Sequence, residues 1–244
     1  MLVNEENRKR IIVALDFATE KEVLRLLERL DPDNCRVKIG KELFTYCGPA
    51  LVKNVGKRGF DIFLDLKFHD IPNTVAGAVR AAALELGVWM LNVHASGGRA
   101  MLEAAAGAIE GADCRRPHII GVTVLTSLND RDLSQLGVQG GSREQVVRLA
   151  RLCLESHLGG VVCSAGEVAA LRKELPREFL LVTPGIRRPG DARGDQKRVM
   201  GPAEAVAAGA DYLVVGRPIT RAEDPQAALS EFVSAVSGNP PNPY

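Results

Sequence analysis

The chain has 244 residues, 46% of them hydrophobic and 25% charged, with a formal net charge of +1. That length suits one large domain or two small ones, and so even a charge balance gives no surface for nucleic acid or an anionic membrane. No run of about 18 apolar residues is available to cross a bilayer, and the first residues lack the apolar core and small-residue cleavage site of a secretion signal.

The elements follow one another regularly. The basic cluster Arg8-Lys9-Arg10 reads as a solvated flank to the first apolar run, Ile11–Leu15. A helix over Lys21–Leu30 follows, with Val23, Leu24, Leu27 and Leu30 on one stripe. The second strand, Arg36–Ile39, leads to a less regular stretch whose main helix is expected to start at Gly48-Pro49. The third strand, Ile62–Leu66, precedes a helix over Pro72–Leu86, with the proline at its start. Trp89–Val93 and the helix Gly98–Ile109 come next, then the strand Ile119–Leu125, where Gly121 is an unusual interior residue. The helix Arg143–His157 leads to Gly160–Cys163, and Ala165–Leu175 leads to Phe179–Val182. Pro202–Ala208, the strand Tyr212–Val215 and a last helix, Pro225–Val236, complete the series.

Strands this continuously apolar are buried on both faces, as a parallel sheet requires. Eight strand–helix units without a linker predict an α/β fold with one (β/α)8 TIM barrel over residues 1–236, and residues 237–244, "SGNPPNPY", as a frayed tail. A doubly wound open sheet is the rival. It needs a glycine-rich turn after its first strand to bind a dinucleotide, and Asp16-Phe17-Ala18-Thr19 has none. The five cysteines are scattered with no C-x-x-C pair, a pattern of reduced thiols in a cytoplasmic protein and not of structural zinc.

In such a barrel, chemistry sits where strands end. Those ends carry Asp16, Lys38, Asp65 with Lys67, Asn92 with His94, Thr123 and Thr126, Ser164, "TPGIR" (Thr183–Arg187) and Gly216-Arg217. The loops after the last two strands commonly bind phosphate, and each offers glycine backbone and an arginine, Arg187 and Arg217. Gln196 lies in the long loop between them and can close over the same group.

The segment "DLKFHDIPNT" (Asp65–Thr74) raises the sharpest question. Alternation along a strand turns Asp65 and Lys67 to the same side, towards the mouth. With Lys38 on the neighbouring strand and Asp70 beyond, acids and lysines alternate. Asp70 also suits a helix cap, and Asp65–Lys67 a plain ion pair. Four such charges crowded into a dry mouth cost more than a structural role justifies.

This segment resembles the signature of the orotidine 5′-monophosphate decarboxylase family in its bacterial form. The likeness extends through "VALD", "VKIG", "NVHASGG", "VTVLTS", "VVCSA", "VTPGIR", "DQKRVM" and "VVGRP". It implies loss of CO2 from orotidine 5′-monophosphate to give uridine 5′-monophosphate, without metal or organic cofactor. Lys67 would donate the proton, flanked by Asp65 and Asp70, with Lys38 completing the network. Asp16 and Lys38 would hold the ribose, and Thr126 would lie near the pyrimidine. Gln196, Arg187, Arg217 and the Gly216 backbone would bind the 5′-phosphate. Asp70 and Thr74 would reach into a partner's site, which implies a homodimer. Gly201 stands where the family pattern has threonine before Pro202, a change that concerns a helix cap and not chemistry.

Two other readings compete. One resembles the magnesium-dependent 3-keto-L-gulonate 6-phosphate decarboxylases, which share the Asp-x-Lys-x-x-Asp array but need an acid where this chain has Lys38. The other is a non-catalytic barrel that senses a sugar phosphate. His69 and His94 lack further partners at metal-ligand spacing and read as hydrogen-bonded rim or core histidines, with His118 and His157 as flanks of elements.

Overall fold

The computed structural model describes residues 9–188 and 200–237. Its centre is a closed barrel of parallel strands in sequence order: β1 (Ile11–Ala14), β2 (Arg36–Gly40), β3 (Ile62–Phe68), β4 (Met90–His94), β5 (His118–Val122), β6 (Gly160–Val162), β7 (Leu180–Pro184) and β8 (Tyr212–Val215). β8 closes on β1 through Ile11 opposite Leu213 and Val13 opposite Val215. The eight expected strands are all present, with ends shifted by up to three residues.

The pleat divides each strand between two cores. Ile12, Ala14, Phe63, Met90, Ile120 and Val214 fill the barrel interior. Their neighbours Ile11, Val13, Leu64, Leu91 and Leu213 face the surrounding helices. Burial on both sides is the physical cause of the nearly unbroken apolar runs.

The outer ring begins with α1 (Glu20–Leu27), whose N-terminus Thr19 caps by accepting the Glu22 N–H. In α2 (Lys41–Lys57), Gly48 at φ 66° breaks the helix before Pro49. The expected start at Gly48-Pro49 is therefore a kink, and a helical segment already runs before it. α3 (Pro72–Arg80) continues into a wider π turn at Ala81–Glu85, and α4 (Arg99–Gly107) follows β4. α5 (Asp130–Gln135) was not anticipated; its sequence signal is the reciprocal cap between Asn129 and Asp132. α6 (Ser142–Glu155), α7 (Val168–Glu174), α8 (Pro202–Ala207), the short α9 (Arg217–Thr220) and α10 (Pro225–Ser237) complete it. Gly201 is the N-cap of α8 without a side-chain bond, as the missing threonine implies. Ser237, expected in the tail, ends α10 and donates to the Val233 carbonyl at 2.7 Å; residues 238–244 lie outside the described residues.

Gly121 has a packing explanation. A β-carbon there would stand 2.2 Å from Cys153 Sγ, so its absence lets α6 lie close on β5.

The barrel floor corrects one expectation. Arg10 is buried, not solvated. Beside this end of the barrel, the Arg36 guanidinium lies 4.1 Å over the Trp89 ring and 5.3 Å from the Tyr212 ring centroid. It is also 3.3 Å from Asp61, which holds Arg115 at 2.9 Å. Stacked, paired guanidinium is how a cation is tolerated at such depth.

Candidate active site

At the opposite end, the strands open into a cavity of about 710 Å³ whose walls include the ends of every barrel strand except β4. Asp16, Lys38, Asp65 and Lys67 all line it. Lys38 Nζ lies 3.3 Å from Asp16 Oδ1 and 3.3 Å from Asp65 Oδ2. Lys67 Nζ donates to Asp65 Oδ1 at 2.5 Å. One carboxylate thus bridges two ammonium groups.

Burial alone pushes the Lys38 ammonium down, but the charges of Asp65 and Asp16 outweigh it and the group ends above its ordinary value. Burial likewise pushes Asp65 up, and Lys38, Lys67 and the bonds it accepts from Lys67 and Asn92 bring it below the usual carboxylate range. Both groups are ionised at neutral pH, and the mouth holds fixed charge in a half-dry setting.

Simple alternation does not explain how Asp65 and Lys67 converge. The β3–β4 ladder pairs Leu64 with Leu91 and next Phe68 with Val93, so β3 bulges between these positions. Lys67 sits in the bulge with φ +51°, a left-handed conformation uncommon outside glycine. Asn92, to which no role attached in the sequence, donates from Nδ2 to Asp65 Oδ1 at 2.7 Å and accepts the Lys67 N–H at 2.8 Å. Only its place at a strand end marked it out.

The expected acid–lysine array closes differently within one chain. Asp16 joins it, whereas Asp70 is exposed and its Oδ1 accepts the Ile71 N–H at 2.6 Å. Thr74, in the first turn of α3, is exposed as well, and neither residue lines the cavity of its own chain.

The glycine–arginine pairs belong to the same cavity, and a β-carbon on Gly216 would stand 3.7 Å from Asp16 Oδ2. Gly185 adopts φ 80°, and Arg187, Gly216 and Arg217 all line the cavity. Arg187 is only 7% exposed, with Nη1 donating to the Ile186 carbonyl at 2.8 Å. It is not a solvated loop charge. A buried guanidinium and glycine backbone, which has no side chain to hold a ligand away, suit an anion. Thr126 lines the same cavity. Gln196 lies outside the described residues.

His69 and His94 stack with centroids 5.4 Å apart, and His94 Nδ1 is 2.9 Å from Ser96 Oγ. Burial first, then His69, Lys41 and Lys67, lowers the His94 pKa. Among the described residues no group of three or more His, Cys, Asp or Glu is placed to hold a metal ion.

Comparison with known proteins agrees with this geometry. The family model described as "Orotidine 5'-phosphate decarboxylase / HUMPS family" matches residues 9–232. The chain is 56% identical over 231 residues to the orotidine 5′-phosphate decarboxylase of Shewanella sediminis, covering 95% of this chain and 98% of that protein. It is 55% identical over 229 residues to that of Vibrio campbellii, covering 94% and 98%. A crystal structure of orotidine 5′-phosphate decarboxylase from Lactobacillus acidophilus superposes with a TM-score of 0.84 at 38% identity, covering 93% of this chain and 99% of that one. A matching family model over nearly the whole barrel, with relatives alike along their full lengths, places the chain in the orotidine 5′-phosphate decarboxylase / HUMPS family.

Proposed function

We propose that this chain is an enzyme that decarboxylates orotidine 5′-monophosphate to uridine 5′-monophosphate and CO2, the step that completes a pyrimidine nucleotide. The observation that carries this reading is one cavity lined both by an ammonium–carboxylate network, Lys38–Asp65–Lys67, and by Arg187 with Gly216-Arg217.

The chemistry follows from that placement. The bond between ring carbon C6 and the carboxylate breaks, its electron pair stays on C6, and CO2 departs. No ring group delocalises that pair well. The Lys67 ammonium stabilises the charge as it develops and then transfers a proton to C6; the neutral amine recovers a proton from water. Asp65 holds Lys67 in place, and Lys38 balances Asp65. Asp16 and Lys38 bind ribose hydroxyls, Thr126 lies by the pyrimidine, and Arg187, Arg217, the Gly216 backbone and Gln196 bind the phosphate. Binding energy from the phosphate, far from the reacting carbon, assists by closing the site against water.

The working unit in this reading is a homodimer. Asp70 and Thr74, outward on their own chain, complete the partner's site, and the exposed Ile71 (67%) and Tyr46 (72%) supply apolar surface for the contact. The enzyme acts in the cytoplasm, without nucleic acid or membrane as partner; no helix among the described residues is long and apolar enough to cross a membrane. No metal or organic cofactor takes part. The divalent cation of the gulonate-type reaction needs an acid where this chain has Lys38, an ammonium that lies 3.3 Å from both Asp16 and Asp65. The test is the loss of orotidylate ultraviolet absorbance with excess chelator present. Undiminished turnover supports the reading; turnover that vanishes with chelator and returns with magnesium overturns it.

A further inference from the structure

Where β3 bulges away from β4, the backbone ladder loses its bonds. Asp65, Leu66 and Lys67 stand against Asn92 alone, between the pairs Leu64–Leu91 and Phe68–Val93. A buried N–H without a partner is costly, and native structures seldom leave one. The Asn92 side chain fills the gap. Its Oδ1 accepts the Lys67 N–H at 2.8 Å, and its Nδ2 donates to Asp65 Oδ1 at 2.7 Å. That same Asp65 oxygen receives the Lys67 ammonium at 2.5 Å. The orientation of the amide is fixed by chemistry, since an N–H only donates and an ionised carboxylate only accepts.

We propose that Asn92 is the positioning residue of this site: one fully buried amide holds both the left-handed backbone of Lys67 and the carboxylate oxygen to which its ammonium is bound. Asn92 is 0% exposed and does not line the cavity, so it acts on substrate only through these two residues. The requirement is narrow. Leucine matches the size but offers neither donor nor acceptor. Ionised aspartate sets a second negative charge against Asp65. Glutamine is a methylene too long to meet both partners from the same backbone position. Without the amide, Lys67 has no reason to keep φ +51°, and its ammonium moves with the backbone.

The inference rests on the decarboxylase reading, and wild-type turnover of orotidylate in the same assay tests that reading separately. Asn92→Ala is expected to lower kcat about 10²-fold, the cost of a misplacement on the order of 1 Å. Affinity for uridine 5′-monophosphate should stay within about threefold, because the phosphate and ribose contacts sit on other strands. Asn92→Asp gives the signature that a merely structural role does not. Its protonated carboxyl has one donor and one acceptor, like the amide, so its kcat relative to wild type rises as pH falls, by about tenfold per unit above the pKa of the new carboxyl. The ratio for Asn92→Ala stays level across the same range. A kcat for Asn92→Ala within about threefold of wild type, or nucleotide affinity lost in step with kcat, overturns the proposal. Should the alanine variant not fold, the isosteric aspartate variant decides alone: a deficit independent of pH overturns it.

Discussion

Replacing Asp65 by asparagine tests the central claim that one carboxylate organises two cations. The substitution keeps shape and removes the charge that lies 2.5 Å from Lys67 Nζ and 3.3 Å from Lys38 Nζ. The Lys38 side chain is 11% exposed and among the described residues retains the largely exposed Asp16 as its paired opposite charge, so its cost approaches that of a broken buried pair, about 3–5 kcal/mol. For a domain of 244 residues that corresponds to a fall in Tm of roughly 6–20 °C. Lys67→Ala should cost less, roughly 1.5–3 kcal/mol, since Asp65 keeps Lys38 and Asn92 and loses one bond to a charged group. The double variant should lose less than the sum of the singles, with a coupling energy of about 0.5–3 kcal/mol. Urea unfolding of the four proteins at one pH and ionic strength measures all of this. Strict additivity, or Lys67→Ala proving the more damaging, would refute a network centred on Asp65.

Asp65 titrates below the ordinary carboxylate value of about 3.9, so its stabilisation is in place above that pH and is lost as pH falls through its own lower value. The stability gap between wild type and Asp65→Asn should therefore be level near neutrality and shrink in acid; a gap that widens in acid contradicts the assignment. Lys38, raised above the ordinary lysine value of about 10.4, contributes stability that is fully present below that pH and lost as pH rises through its higher value. Mixing Asp70→Ala chains with Lys67→Ala chains should regain up to about a quarter of wild-type turnover at equal amounts, one intact site per mixed dimer; no recovery in demonstrated mixed dimers excludes shared sites. Gly121→Ala should cost about 1–3 kcal/mol through contact with Cys153, with partial recovery in Gly121→Ala/Cys153→Ala, measured by denaturant unfolding.

The barrel was readable because two-sided burial leaves a direct mark: Ile11 and Ile12 are both apolar because one faces the helices and the other the interior. The cationic and acidic strand ends were readable for the complementary reason, since charge at such places needs a use. What escaped was whatever depends on local geometry instead of residue type. The bulge at Lys67 breaks the two-residue period on which its pairing with Asp65 was argued, and the period carries no sign of it. Asn92 looked like any polar residue at a strand end until the gap it fills was visible. Arg10 was misjudged because a basic cluster beside a strand is commonly solvated, whereas here the barrel floor encloses one of its members. Gln196 lies beyond the described residues, and its expected place beside a phosphate comes from its loop after β7 and from the family resemblance.

Arg36 and Lys38 stand two positions apart on one strand, one paired with Asp61 beneath the barrel and the other with Asp65 above it. The apolar layer of Ile12, Phe63 and Val214 insulates the two ends from each other. Stability can consequently be retuned at the lower pair with the charges that line the cavity left undisturbed.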